Sequence, residues 1–184
     1  MVYFDKRGEE NSERTLQITK DEALKRDIKY LVVASTRGNT GLKAAQMLQN
    51  TGIKLIVVAH STGHREAGQQ LFDGEVKKEI ENLGGVVFIG TDVLTGFSMA
   101  MRAKGRFAEQ TMIGDVLRMF GQGMKVCVEI VAMASDANLL PLEDVIAVAG
   151  SGRGADTSVI IGANSTNQFF DIKVREILAK PRDF

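Results

Sequence analysis

The stretch Tyr30-Leu31-Val32-Val33-Ala34-Ser35-Thr36-Arg37-Gly38-Asn39-Thr40-Gly41-Leu42 decides the fold class. An unbroken apolar run passes into hydroxyls, an arginine and glycines, and then into residues with helical spacing. Apolar runs that do not alternate suit strands covered on both faces, as in parallel sheets. Asn39 or Thr40 can cap a helix over about 40–51, with Leu42, Ala45, Met47 and Leu48 inward. Gly52 is expected to end it as the glycine just past the last turn. The same strand–loop–helix unit repeats downstream. Residues 53–59 are apolar and strand-like, a polar loop covers 60–72, and a helix over 75–83 ends at Gly84-Gly85. A third strand, 86–89, runs into Gly90-Thr91-Asp92.

Around this centre the chain is less regular. Residues 1–8 read as an irregular arm or a short edge strand. Asn11-Ser12-Glu13 supplies cap-type residues for a helix over about 10–27. Over 96–138, apolar residues recur three and four apart: Phe97, Met101, Phe107, Met112, Ile113, Val116, Leu117, Phe120, Val126, Ile130, Met133, Ala134. This spacing predicts two or three helices broken near Gly105 and residues 121–123. They read as core or subunit interface, so a homo-oligomer through the 96–134 helices is expected. A strand follows at 144–149, another at 158–161, and a last strand or short helix at 172–178 that Pro181 ends. The order βαβαβ, helices, then β predicts one three-layer αβα domain over 1–184, with a mostly parallel sheet and helices on both faces.

Composition narrows the function classes. The 184 residues carry 23 acidic and 23 basic side chains, so the formal charge is zero. No general attraction to nucleic acid or to an anionic membrane follows, and neither is expected as a partner. The single cysteine, Cys127, excludes an internal disulfide and reads as a buried, inert thiol. The charged N-terminus is unlike a signal peptide. No apolar run approaches the roughly 20 residues of a membrane span, and the cytoplasm is the expected location.

Two segments carry the chemistry. Ser35-Thr36-Arg37-Gly38-Asn39-Thr40 and Ser151-Gly152-Arg153-Gly154-Ala155-Asp156-Thr157 each combine hydroxyls, one arginine and small residues after an apolar run. A helix N-terminus offers free N–H groups to an anion, and alternate glycines allow a nest of N–H groups. In open α/β sheets both loops belong at the carboxyl edge of the strands, with His60, Ser61, Thr62 and Asp92. Phosphate is the expected anion. The plain alternatives are a strand–helix turn that needs glycine and a flexible hairpin, each with a solvent-facing arginine. No lysine completes a Walker A loop, G-x-G-x-G is not the dinucleotide G-x-G-x-x-G, and Ser151 lacks the G-x-S-x-G elbow. His60 and His64 lie four apart, but Gly63 weakens helical pairing and no third ligand is evident, so no metal is expected. They act as hydrogen-bonding groups at the ligand edge or as structural residues. Asp92 and Asp156 either hold a hydroxyl or base, or cap a turn. His60, His64 and Asp92 are the catalytic candidates if a reaction occurs. Phe169-Phe170 either cover a flat ring or pack inward.

The segments 31–40, 56–59 and 145–154, with Lys173-Val174-Arg175-Glu176-Ile177-Leu178, resemble the C-terminal effector-binding domain of pyruvate kinase. They resemble more closely the stand-alone archaeal and bacterial proteins of that fold. The resemblance implies that Ser35, Thr36, Gly38, Asn39 and Thr40 hold a phosphate, and that Ser151, Gly152, Arg153 and Gly154 close over the ligand. It does not imply phosphoryl transfer, because the kinase barrel is missing. The expected ligand is flavin mononucleotide (FMN) first and a sugar phosphate second. Alternatives are a flavin-dependent oxidoreductase using the same pocket, and a regulatory or assembly module without catalysis.

Overall fold

A computed structural model describes residues 1–184. Its strands are β1 (Val2–Lys6), β2 (Tyr30–Ala34), β3 (Lys54–His60), β4 (Val86–Gly90), β5 (Asp144–Ala149), β6 (Thr157–Gly162) and β7 (Lys173–Asp183). The helices are α1 (Ser12–Arg26), α2 (Asn39–Met47), α3 (Gly74–Asn82), α4 (Gly96–Ala103), α5 (Glu109–Arg118) and α6 (Gln122–Asp136). The strands form one sheet of order β1-β7-β6-β5-β2-β3-β4. Neighbours are parallel except at β6, which runs against both β5 and β7.

The central strands are apolar on both faces because both faces are covered. Leu31 and Val33, Leu55 and Val57, and Ile146 and Val148 point to one layer, which holds Leu16 and Ala23 of α1, Ala44 and Ala45 of α2, and Ile80 of α3. Val32, Ile56, Val58, Val145 and Ala147 point to the other, which is filled by Met124, Cys127, Val128, Val131 and Ala134 of α6. The result is the expected three-layer α/β arrangement. Fully burying one such side chain is worth about 1.5–3 kcal/mol.

Two local expectations need correction. Helix α2 ends at Met47, and Gly52 is not its terminating glycine. The Thr51 hydroxyl donates to the Leu48 carbonyl at 2.6 Å, and Asn50 takes the left-handed conformation at φ 59°. The last segment is a strand that continues through Pro181 to Asp183. Pairing with β6 stops at Ala179, so the missing proline N–H falls where only β1 lies alongside, in register Phe4 with Pro181. The 96–138 region is three helices, and they differ sharply. The α6 helix is buried from Gly123 to Ala134 except at Val126. By contrast Phe97, Phe107, Met112, Val116 and Met119, on or beside α4 and α5, stand exposed. No helix is long and apolar enough to cross a membrane.

Candidate functional site

Strand β2 is where the chain reverses its direction across the sheet. From β2 it steps to β3 and β4 on one side, and then returns to place β5 on the other. The connections change face at the same point: α2 and α3 cover one layer, and α6 the other. In open α/β sheets the crevice outside the carboxyl ends of two such strands is where ligands bind. The loop after β2 and the loop after β5 leave adjacent parallel strands at that position. His60, at the end of β3, stands in register with Gly90 of β4, which places His60–Thr62 and Asp92 farther along the same edge.

The first loop is shaped by its helix. Gly38 precedes α2 at φ 102°, and a Cβ there would lie 2.5 Å from Val76 Cγ1. Only glycine suits both the dihedral and the space. The Gly41 N–H donates to the buried Ser35 Oγ at 3.3 Å, and Leu42 N–H opens the helical ladder by donating to the Gly38 carbonyl at 2.8 Å. The backbone N–H groups of Thr36, Arg37, Gly38, Asn39 and Thr40 have no protein acceptor. The N-terminal end of the helix dipole adds positive potential there. Arg37 and Asn39 are exposed, Thr36 is half-buried, and Thr40 is buried. The Arg37 guanidinium forms no ion pair.

The second loop joins β5 to antiparallel β6 and is tied down from inside. The Asp156 carboxylate, fully buried, accepts from Ser151 N–H at 3.1 Å, Gly8 N–H at 3.3 Å and Thr157 Oγ1 at 2.8 Å. The polar atoms of Asp156 and Thr157 are thus used within the protein. Ser12 contributes from α1: its Oγ accepts the Ala155 N–H at 2.9 Å and donates to the Glu9 carbonyl at 2.6 Å. Gly154, at φ 68°, lies against this segment, and a Cβ there would approach Glu9 Cα to 2.6 Å. The tip remains open. Gly152 and Arg153 are exposed, the N–H groups of Gly152, Arg153 and Gly154 have no protein acceptor, and Ser151 Oγ has no partner.

The histidines come together by a route that helical spacing does not describe. Gly63, at φ 86°, turns the chain, and the His64 N–H donates to the Ser61 carbonyl at 3.3 Å. The two rings stack, with centroids 3.8 Å apart and planes 12° apart. Both face Asp92, which is 6% exposed. Its Oδ1 lies 3.0 Å from His60 Nδ1, and its Oδ2 lies 3.4 Å from His64 Nδ1. Burial holds the His64 imidazole below its usual range, and a charge on His60 pushes the same way, while Asp92 opposes both. Thr62 Oγ1 accepts from Gln70 Nε2 at 3.2 Å, and Gln70 Nε2 also reaches the His60 carbonyl at 3.3 Å. A buried pair on α6, Lys125 and Glu129, steadies the turn after Asp92: Glu129 Oε1 accepts the Leu94 N–H at 2.8 Å.

Some of this had no local sequence signal. Ser12, Glu129 and Gln70 act through contacts 143, 35 and 10 residues away. Phe169 and Phe170 are excluded as a cover for a ring at this edge. They lie in the 3₁₀ turn between β6 and β7, at the opposite end of the sheet, and Phe169 packs into the α6 layer. An apolar hollow of about 500 Å³ lies at α4 and α5, lined by Arg102, Phe107, Met112 and Met119, and takes no residue from either loop.

These features define an α/β protein with two glycine-rich loops side by side at a strand-order reversal. No protein-family profile matches the chain. Among solved structures it is similar to a pyruvate kinase from Cryptosporidium parvum, with a TM-score of 0.43 and 12% identity over 81% of this chain. It is also similar to an O-ureido-L-serine synthase, with a TM-score of 0.33 and 19% identity over 52% of this chain. The chain spans only 22% of the kinase and 30% of the synthase.

Proposed function

We propose that this protein binds a phosphate-bearing small molecule in the crevice between the ends of β2 and β5. One observation carries the reading. Two loops on neighbouring strands each leave a run of backbone N–H groups without acceptors, 36–40 and 152–154, beside an exposed arginine. Such N–H groups donate readily to an anion, and arginine adds a bidentate charged contact. FMN is the first candidate and a sugar phosphate the second, with the phosphate at β2 and β5 and the remainder along the edge toward β3. The resemblance to the pyruvate kinase effector domain belongs to the same reading, with Ser35, Thr36, Gly38, Asn39 and Thr40 as the phosphate loop and Ser151–Gly154 as the closing loop.

Native mass spectrometry of freshly purified protein, followed by FMN titration monitored by flavin fluorescence, tests this. Bound or bindable FMN, competed by inorganic phosphate, supports the reading. No binding of FMN, sugar phosphate or inorganic phosphate sinks it. The exposed apolar side chains of α4 and α5 support the homo-oligomer expected from the sequence. Sedimentation at high concentration tests that, and a monomer throughout counts against it.

A further inference from the structure

Neither of the two phosphate loops includes His60, His64 or Asp92. The three sit together at the ends of β3 and β4, and their donor atoms all lie within 4.8 Å of one another. A tetrahedral zinc-like ion binds nitrogen and oxygen at about 2.0–2.2 Å, which separates neighbouring donors by roughly 3.3–3.5 Å. His60 Nδ1 lies 3.0 and 3.1 Å from the two Asp92 oxygens, and His64 Nδ1 lies 3.4 Å from Oδ2. The His64–Asp92 edge of a triangular coordination face already has the required length, and the His60–Asp92 edge, at hydrogen-bond distance, is a few tenths of an ångström (~0.2–0.5 Å) short of it. The third pair of donors, the two imidazole nitrogens, lies within 4.8 Å, and the half-buried rings must turn out of their 12° stack for both to face one ion.

The surroundings suit such a site. His60 is fixed by the β3–β4 ladder, and its carbonyl by Gln70. The Asp92 backbone is held by Gly96 N–H at 2.7 Å, and the next turn by buried Glu129. Rigid backbone support of this kind is what keeps metal ligands oriented. The histidines stay partly open to solvent, which leaves a coordination position for water. Two imidazoles and a carboxylate favour zinc-like ions over magnesium or calcium, which prefer all-oxygen sites.

We propose that His60, His64 and Asp92 bind one divalent transition-metal ion, of the Zn²⁺ or Co²⁺ type, with a fourth position open to solvent. The test uses tag-free, chelator-treated full chain titrated with Co²⁺ alone. The expected result is one equivalent bound, with the intense visible d–d absorption of a tetrahedral site. His64→Ala, in an exposed turn, and Asp92→Asn, close in shape, should each weaken Co²⁺ by more than the ~10–100-fold of a lost outer-shell partner. Circular dichroism melts check that both variants fold, and His60→Ala replaces Asp92→Asn if the latter does not. Absence of the tetrahedral bands, or equal Co²⁺ affinity in the folded variants, overturns the proposal. The readout needs no phosphate ligand, so it stands or falls apart from the crevice reading.

Discussion

The two glycine-rich loops leave adjacent parallel strands at one edge of the sheet, yet the protein holds them in opposite ways. The 35–41 loop takes its shape from the helix after it: Gly38 sets the entry to α2, and the only side-chain tie among its N–H groups is the 3.3 Å bond from Gly41 to Ser35 Oγ. The 150–157 loop takes its shape from the residues beneath it. A buried carboxylate collects three donors, and a serine from α1 takes a fourth. One loop is open because a helix start cannot satisfy its own first N–H groups. The other is open only at its tip, because distant residues consume the rest. Similar composition therefore conceals two different constructions, and substitution should separate them.

The largest difference is expected at the carboxylate. Asp156→Ala strands the Gly8 and Ser151 N–H groups and the Thr157 hydroxyl, at about 1–3 kcal/mol for each donor left dry. Ser35→Ala removes one long bond, and about 1 kcal/mol or less is expected. Urea unfolding of the two variants measures the gap, and equal losses would erase the distinction. Next come the glycines of the second loop. Gly154→Ala adds a methyl 2.3 Å from Ser12 Oγ and 2.6 Å from Glu9 Cα, so about 1–3 kcal/mol of overpacking joins the cost of its positive φ. Gly152→Ala meets no neighbouring atom and should cost only the left-handed penalty of about 1–2 kcal/mol.

The loops should converge again in their exposed arginines. Arg37→Ala and Arg153→Ala are expected to leave stability within about 0.5 kcal/mol. Each should weaken a phosphate ligand by about 1.5–3 kcal/mol, as for a hydrogen bond to a charged group. Isothermal titration with FMN or a sugar phosphate checks this, and unchanged affinity in both variants removes the shared cradle. The smallest effect reaches into the core. Burial pushes the Cys127 thiol well up, and the Asp156 charge pushes it the same way. Cys127 should resist a thiol-specific reagent in the folded protein and react once urea unfolds it. Rapid labelling of the native state would contradict its burial.

Locality explains how much of the fold was legible in the sequence. The 144–149 strand is found at its expected residues, because an unbroken apolar run between turn signals has few other uses. The break near 121–123 is also where expected, at Gly121 with φ 118°. Pro181 misled because proline is excluded only where a partner needs its N–H, and β7 has lost β6 by that point. The apolar spacing of α4 and α5 matched that of α6, yet only α6 is enclosed, since periodicity reports a face and not what covers it. At the candidate site, His60, His64 and Asp92 were each visible as ionisable residues at a strand end. Their contact was not, because it depends on the β3–β4 register and on Gly63 folding four residues back on themselves.

The position of β1 bears on the order in which the molecule is assembled. Val2–Lys6 pairs only with β7, and the segment from Gly8 to Thr19 finds its partners around residues 154–158. While the chain is being made, β2, β3 and β4 can pair as soon as they emerge, but the earliest residues must wait for the last. Closing so long a loop is entropically costly and tends to slow folding. The far edge of the sheet and the base of the second loop should therefore be the last parts to become protected in pulsed hydrogen exchange, after the β2–β3–β4 half is already in place.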